Sequence, residues 1–96
     1  MSLSKLHDKN KAVSAINIFN PAEGGTAISL QILKDELLKE HVTKTPAILI
    51  CMSGEVIFEN EKSESFYLKS GDYYNIEPLV KHWVKGIKDS QLVLVK

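Results

Sequence analysis

The sequence predicts an all-β domain of packed antiparallel sheets, on three observations. Short apolar runs rich in branched and aromatic residues recur from Ser14 to the end, turn-forming residues separate them at close intervals, and the clearest run alternates apolar with polar side chains. Successive strand side chains point to opposite faces, so period-two alternation marks a sheet with one face buried.

The elements follow in chain order. The first dozen residues, MSLSKLHDKNKA, read as a polar lead-in without regular structure, and a single domain is expected over residues 13–96. SAINIF (14–19) is the first strand; the NPAEGG after it contains Gly24 and Gly25, which suit a hairpin turn. TAISLQIL (26–33) sets Ile28, Leu30 and Ile32 on one face and Ser29 and Gln31 on the other. ELLKEHV (36–42) reads as a strand, although Leu33, Leu37 and Leu38 also fall at helical spacing, so a short helix stays open there. AILICMS (47–53) is apolar on both faces, which predicts a central strand with something packed over its outer side, a second subunit being one candidate. EVIFEN (55–60), SFYLK (65–69), YYNIE (73–77), HWVKGIK (82–88) and QLVLVK (91–96) complete the set. Many short strands in a small domain must protect their edges, and the double-sheet jelly roll is one standard solution.

Composition narrows the function classes. Ninety-six residues suit one core, because a chain this short buries only about 60 to 65% of its unfolded surface. Twelve basic and twelve acidic residues cancel, so no basic surplus points to nucleic acid or to an anionic membrane. No window approaches the ~20 apolar residues of a membrane helix, and the charged start is unlike a signal peptide. Cys51 is the only cysteine, so no internal disulfide can form, and a cytoplasmic location is the expectation. Glycine-rich phosphate loops, GxSxG, CxxC and HExxH are all absent.

Two stretches carry chemistry: EHVTKTPAILICMSGEVIF (40–58) and LKSGDYYNIEPLVKHWV (68–84). Together they resemble the cupin superfamily over about residues 30 to 95. The family's second motif, a Gly-Asp turn, a short strand, a Pro and a His, is matched by Gly71, Asp72, Ile76, Pro78 and His82, with Pro78 one place late. The first motif is HxH, then a Glu, then a turn Gly. Anchored on Gly54, its Glu position falls on Ala47, its second His on Thr43 and its first on His41.

The resemblance implies a double-stranded β-helix, a jelly-roll barrel of two packed antiparallel sheets, often homodimeric in small family members. It also implies a pocket at the open end, where three His and one Glu of complete members hold iron, manganese, zinc or nickel. In this chain His41 and His82 are the two candidate metal ligands for such a divalent ion. Thr43, Tyr74 and Phe58 are the candidate ligand-binding residues. Two imidazoles alone leave most of a coordination sphere unfilled and bind metal weakly. Glu40 precedes His41 and points to the opposite face, Glu77 borders a turn, and Cys51 lies roughly 13 Å along the strand from Ala47. The expectation is a small-molecule binding protein with a weakly held metal or none. The alternative is a metal-dependent oxygenase or isomerase using His41 and His82.

Overall fold

Branched and aromatic residues favour the pleated, half-buried surface of a sheet, and every such run becomes a strand. The computed structural model describes residues Met1–Lys96. Its strands are β1 Val13–Phe19, β2 Ala27–Ile32, β3 Leu37–His41, β4 Ala47–Ser53, β5 Glu55–Asn60, β6 Ser65–Lys69, β7 Tyr73–Ile76, β8 His82–Gly86 and β9 Ser90–Val95. All nine sequence-predicted strands are present.

The helix left open at Leu33–Leu38 does not form. Glu36 N–H donates to the Leu33 carbonyl in a tight turn, Asp35 N–H to the Gly86 carbonyl, and Gly86 N–H to the Glu36 carbonyl. Helical spacing loses to these bonds with the end of β8, and Leu37–His41 then pairs along β8 as a strand.

The strands form two antiparallel sheets, ordered β1-β2-β9-β4-β7 and β3-β8-β5-β6. Chain neighbours repeatedly lie in opposite sheets, which is the jelly-roll winding expected. One core of eleven buried residues lies between the sheets. Leu30, Ile32, Leu49, Cys51 and Leu92 come from one sheet, and Val56, Phe58, Leu68 and Val84 from the other. The register places Leu30, Leu92 and Cys51 side by side across β2, β9 and β4, so the inner face of the larger sheet is a continuous apolar floor.

The outer face of that sheet divides into two zones. Ser14, Gln31, Gln91 and Ser53 form one cross-strand row of polar residues. The N-terminal segment covers this row. Residues 1–12, expected as an unstructured lead-in, include a short 3-10 turn at Leu3–Leu6 and fold back on the sheet. The His7 imidazole bonds the Ser14 hydroxyl at 2.8 Å and the Ser29 hydroxyl at 2.9 Å. Gln31 donates from Nε2 to the carbonyls of Asp8 and Lys11. Sequence periodicity could not show this, because the segment is polar and is held by hydrogen bonds instead of an apolar stripe. The other zone carries Ile16, Ile48, Ile50, Val93 and Val95, together with Tyr73, and nothing in the chain covers it.

Candidate functional site

His82 opens β8 and is paired across the sheet with His41 on one side and Asn60 on the other. A bulge lies between Leu38 and His41 in β3. An odd spacing would otherwise turn these residues to opposite faces; the extra residue lets both face the interior. Both line a cavity at the open end between the sheets. The loop that carries Thr43 is tied to the loop before β8 by Leu79 N–H donating to the Thr43 carbonyl at 2.8 Å. The two motifs distant in sequence thus meet at one end of the barrel.

The cavity holds about 170 Å³ and is lined by thirteen residues, nine of them hydrophobic. Leu30, Leu49, Ile76 and Val84 form its buried floor, and exposed His41, Val42 and Lys96 its rim. A cavity of about 150 Å³ takes a benzene-sized molecule in another protein, so the volume suits a compact organic ligand.

The polar groups on the wall are few. His82 is buried, and its Nδ1 lies 3.3 Å from the Val80 carbonyl, which can only accept. Nδ1 therefore carries the hydrogen, and Nε2 keeps a lone pair with no protein partner. Burial holds the His82 pKa below the usual histidine value, and the nearby His41 pushes the same way against the Val80 bond. Burial therefore favours the neutral ring. Thr43 is nine-tenths buried, and its Oγ1 is sealed in the wall without a hydrogen-bond partner. Leaving a buried hydroxyl unpaired costs about 1 to 3 kcal/mol, so the Thr43 hydroxyl lowers stability here.

Phe58 and Tyr74 are both expected on the pocket wall from the sequence; the structure sets them behind it. Phe58 is 1% exposed at the centre of the core. It stacks on His82 with ring centres 5.3 Å apart and an interplanar angle of 20°. Tyr74 lies 4.6 Å from Phe58 and 4.6 Å from Phe66, and lines a groove between the edge strands β6 and β7. Burial raises its phenol pKa, with Glu64 and Glu77 adding to the effect. Face parity on β7 holds, but parity gives no position across the barrel, and the bulk of Phe58 separates Tyr74 from the mouth.

The wall residues outside both motifs, which sequence reasoning missed, are Ala15, Ile28, Leu30, Leu38, Leu94 and Lys96. They come from β1, β2, β3 and the end of β9. Only the inward parity of Ile28 and Leu30 offered a signal for any of them.

A metal ion requires converging donors. Ring centres of His41 and His82 lie 6.3 Å apart, tilted by 39°. Two imidazoles sharing a tetrahedral ion, with metal–nitrogen bonds of about 2.1 Å, hold ring centres roughly 5 Å apart. Nowhere do three or more His, Cys, Asp or Glu side chains converge. Ala47 is buried where the family's carboxylate would stand. Glu40 pairs with Lys81 at 3.4 Å and Glu77 with Lys62 at 2.7 Å, all on the surface. Cys51 is fully buried, and burial raises its thiol pKa. The donor set does not fit a resident metal.

The two-sheet winding with this open-end cavity is the cupin fold. The chain is similar to a cupin superfamily protein of Desulfitobacterium hafniense, with TM-score 0.86 and 11% identity over 98% of this chain and 84% of that one. It is similar to a cupin-2 domain containing protein of Shewanella frigidimarina, with TM-score 0.80 and 15% identity over 97% and 86%. A protein of Thermus thermophilus gives TM-score 0.83 and 20% identity over 99% and 92%. No family model matches the chain, and no curated protein matches it in sequence.

Proposed function

We propose that the protein binds a small organic molecule in the barrel mouth, with His82 as its polar contact, Thr43 packing in the wall beside it and His41 at the rim. The observation that carries this reading is the apolar cavity whose wall holds the free Nε2 of His82. Apolar walls with a few placed polar groups are the usual make-up of a ligand site. Phe58 and Tyr74 act from behind the wall, Phe58 by fixing the plane of the His82 ring. The metal-dependent oxygenase or isomerase reading is disfavoured, since catalytic metal sites generally bring three protein ligands.

A thermal-shift screen of small organic compounds tests the proposal. Hits are expected to lose about tenfold in affinity in His82→Ala, whereas Thr43→Val leaves the unliganded midpoint unchanged or higher because it removes an unpaired hydroxyl. Elemental analysis of untagged protein is expected to show substoichiometric zinc, iron, manganese or nickel, unchanged in His82→Ala. One metal equivalent per chain that disappears in His82→Ala would overturn the metal-free reading.

The uncovered apolar zone of the larger sheet supports a homodimer. A contiguous apolar face that the chain leaves without a cover is a candidate interaction face, and most homo-oligomers close through a two-fold axis. The zone is self-complementary in chemistry, since Ile48, Ile50, Val93 and Val95 bring no charge to it. Light scattering after size exclusion is expected to give twice the chain mass for the wild type and a monomer for Ile50→Lys. A monomeric wild type at micromolar concentration would remove the dimer. The reading also keeps the protein in the cytoplasm, which the single buried thiol of Cys51 supports. No helix is long and apolar enough to cross a membrane.

A further inference from the structure

The polar complement of the mouth is one-sided. Its ionisable wall residues are His41, His82 and Lys96, and no acidic side chain lines the cavity. The whole chain has as many acidic as basic residues, so this exclusion is local. The acids nearest in sequence are turned away and engaged elsewhere, Glu40 with Lys81 and Glu77 with Lys62. At the rim the Lys96 ammonium only donates and the His41 imidazole brings one donor and, when neutral, one acceptor; deeper in the wall Nε2 of His82 accepts.

We infer that the occupant of the mouth is a small monocarboxylate with a compact apolar body. The inference rests on the reading of the mouth as a binding site and names the chemistry it takes. A carboxylate is acceptor-only at neutral pH and suits a rim that carries an ammonium and an imidazole N–H with no competing acidic side chain. Hydrogen bonds from a charged donor to a carboxylate are about twice as strong as neutral ones. The charge stays at the solvated rim against Lys96 and His41, where it loses little of its hydration. The body enters between Leu30, Leu49 and Ile76, where every contact is apolar. About 170 Å³ takes one ring or a branched chain of similar bulk, and nothing as large as a nucleoside.

Benzoate meets this description and has neutral and cationic partners of the same shape, benzamide, benzyl alcohol and benzylamine. Titration calorimetry of the full chain at low salt is expected to show benzoate binding at least tenfold tighter than benzamide, and no binding of benzylamine. The advantage of benzoate shrinks as salt is raised, because rim charges are screened. Lys96→Gln removes most of that advantage while leaving benzamide affinity unchanged. Ala15 lies exposed on the cavity wall of edge strand β1, so Ala15→Phe fills the mouth from a site where the bulk is tolerated. Ala15→Phe, and independently Val42→Trp at the rim, are expected to abolish binding of all four compounds. Benzamide or benzyl alcohol binding as tightly as benzoate, with both fillers still blocking, would overturn the carboxylate assignment and leave the mouth as the site. Binding of none of the four, or binding that both fillers leave intact, would overturn the mouth reading as well.

Discussion

Phe58→Ala is expected to cost about 3 to 5 kcal/mol, the range for truncating a buried aromatic core residue. Phe58 is 1% exposed on the inner face of β5 and supplies packing to both sheets. Its ring also stacks on His82 and lies against Tyr74, so truncation opens a cavity beside the candidate site. Small domains are stable by only about 5 to 15 kcal/mol, so this loss removes a large share of the total. Urea unfolding followed by Trp83 fluorescence measures it. Phe58→Leu keeps most of the apolar volume and is expected to lose roughly half as much. In that variant the His82 ring loses its stacking partner while the fold persists, and ligand affinity at the mouth is expected to fall. A cost below about 1 kcal/mol for Phe58→Ala would show that Phe58 is not at the centre of the shared core.

Gly54→Ala is the second large effect, and its cause is different. Gly54 turns β4 into β5 with a φ of +86°, a conformation that side chains rarely adopt. A Cβ there would also press into the Asp89 carbonyl oxygen and lie 2.8 Å from the Ser90 Cα. Both neighbours are main-chain atoms at the start of β9 and cannot swing aside. Ser90 is pinned as well: its hydroxyl accepts from Glu55 N–H at 3.0 Å and is 1% exposed. Gly71 is the control, with a φ of +92° and nothing within 4 Å of a built Cβ. Gly71→Ala is therefore expected to cost only the backbone strain, about 1 to 2 kcal/mol. Gly54→Ala adds the backbone clash and is expected to cost at least twice that, with a correspondingly larger drop in the thermal midpoint. Equal midpoints for the two variants would show that the close approach to β9 carries no weight.

The strands were legible because their signals are local. Period-two alternation of apolar and polar residues in TAISLQIL and the turn residues between runs need no knowledge of what lies across the sheet. The reading at Leu33–Leu38 stayed ambiguous for the same reason. Helical spacing and strand pairing compete there, and the deciding bonds come from Gly86, some fifty residues away. The lead-in was opaque because it has no periodicity; His7 and the carbonyls of Asp8 and Lys11 find partners on β1 and β2 only after the sheet has formed.

The site was legible in half. Motif spacing put His41 and His82 at one end, and the missing carboxylate at Ala47 was visible in the sequence. Face parity identified Phe58 and Tyr74 as inward residues, yet inward positions include the core behind a cavity as well as its wall. Only the packing of Phe58 between His82 and Tyr74 separates the two layers.

By itself the sequence determined the all-β class, the nine strands, the turn glycines and the incomplete donor set, since each depends on neighbouring residues or on motif spacing. Tertiary structure alone decided that Ala15, Ile28 and Lys96 join the mouth, that the Thr43 hydroxyl is sealed without a partner, and that no acidic side chain lines the wall. Those properties depend on which distant strands the sheets bring together, and a cavity is defined by what every one of its neighbours leaves unfilled.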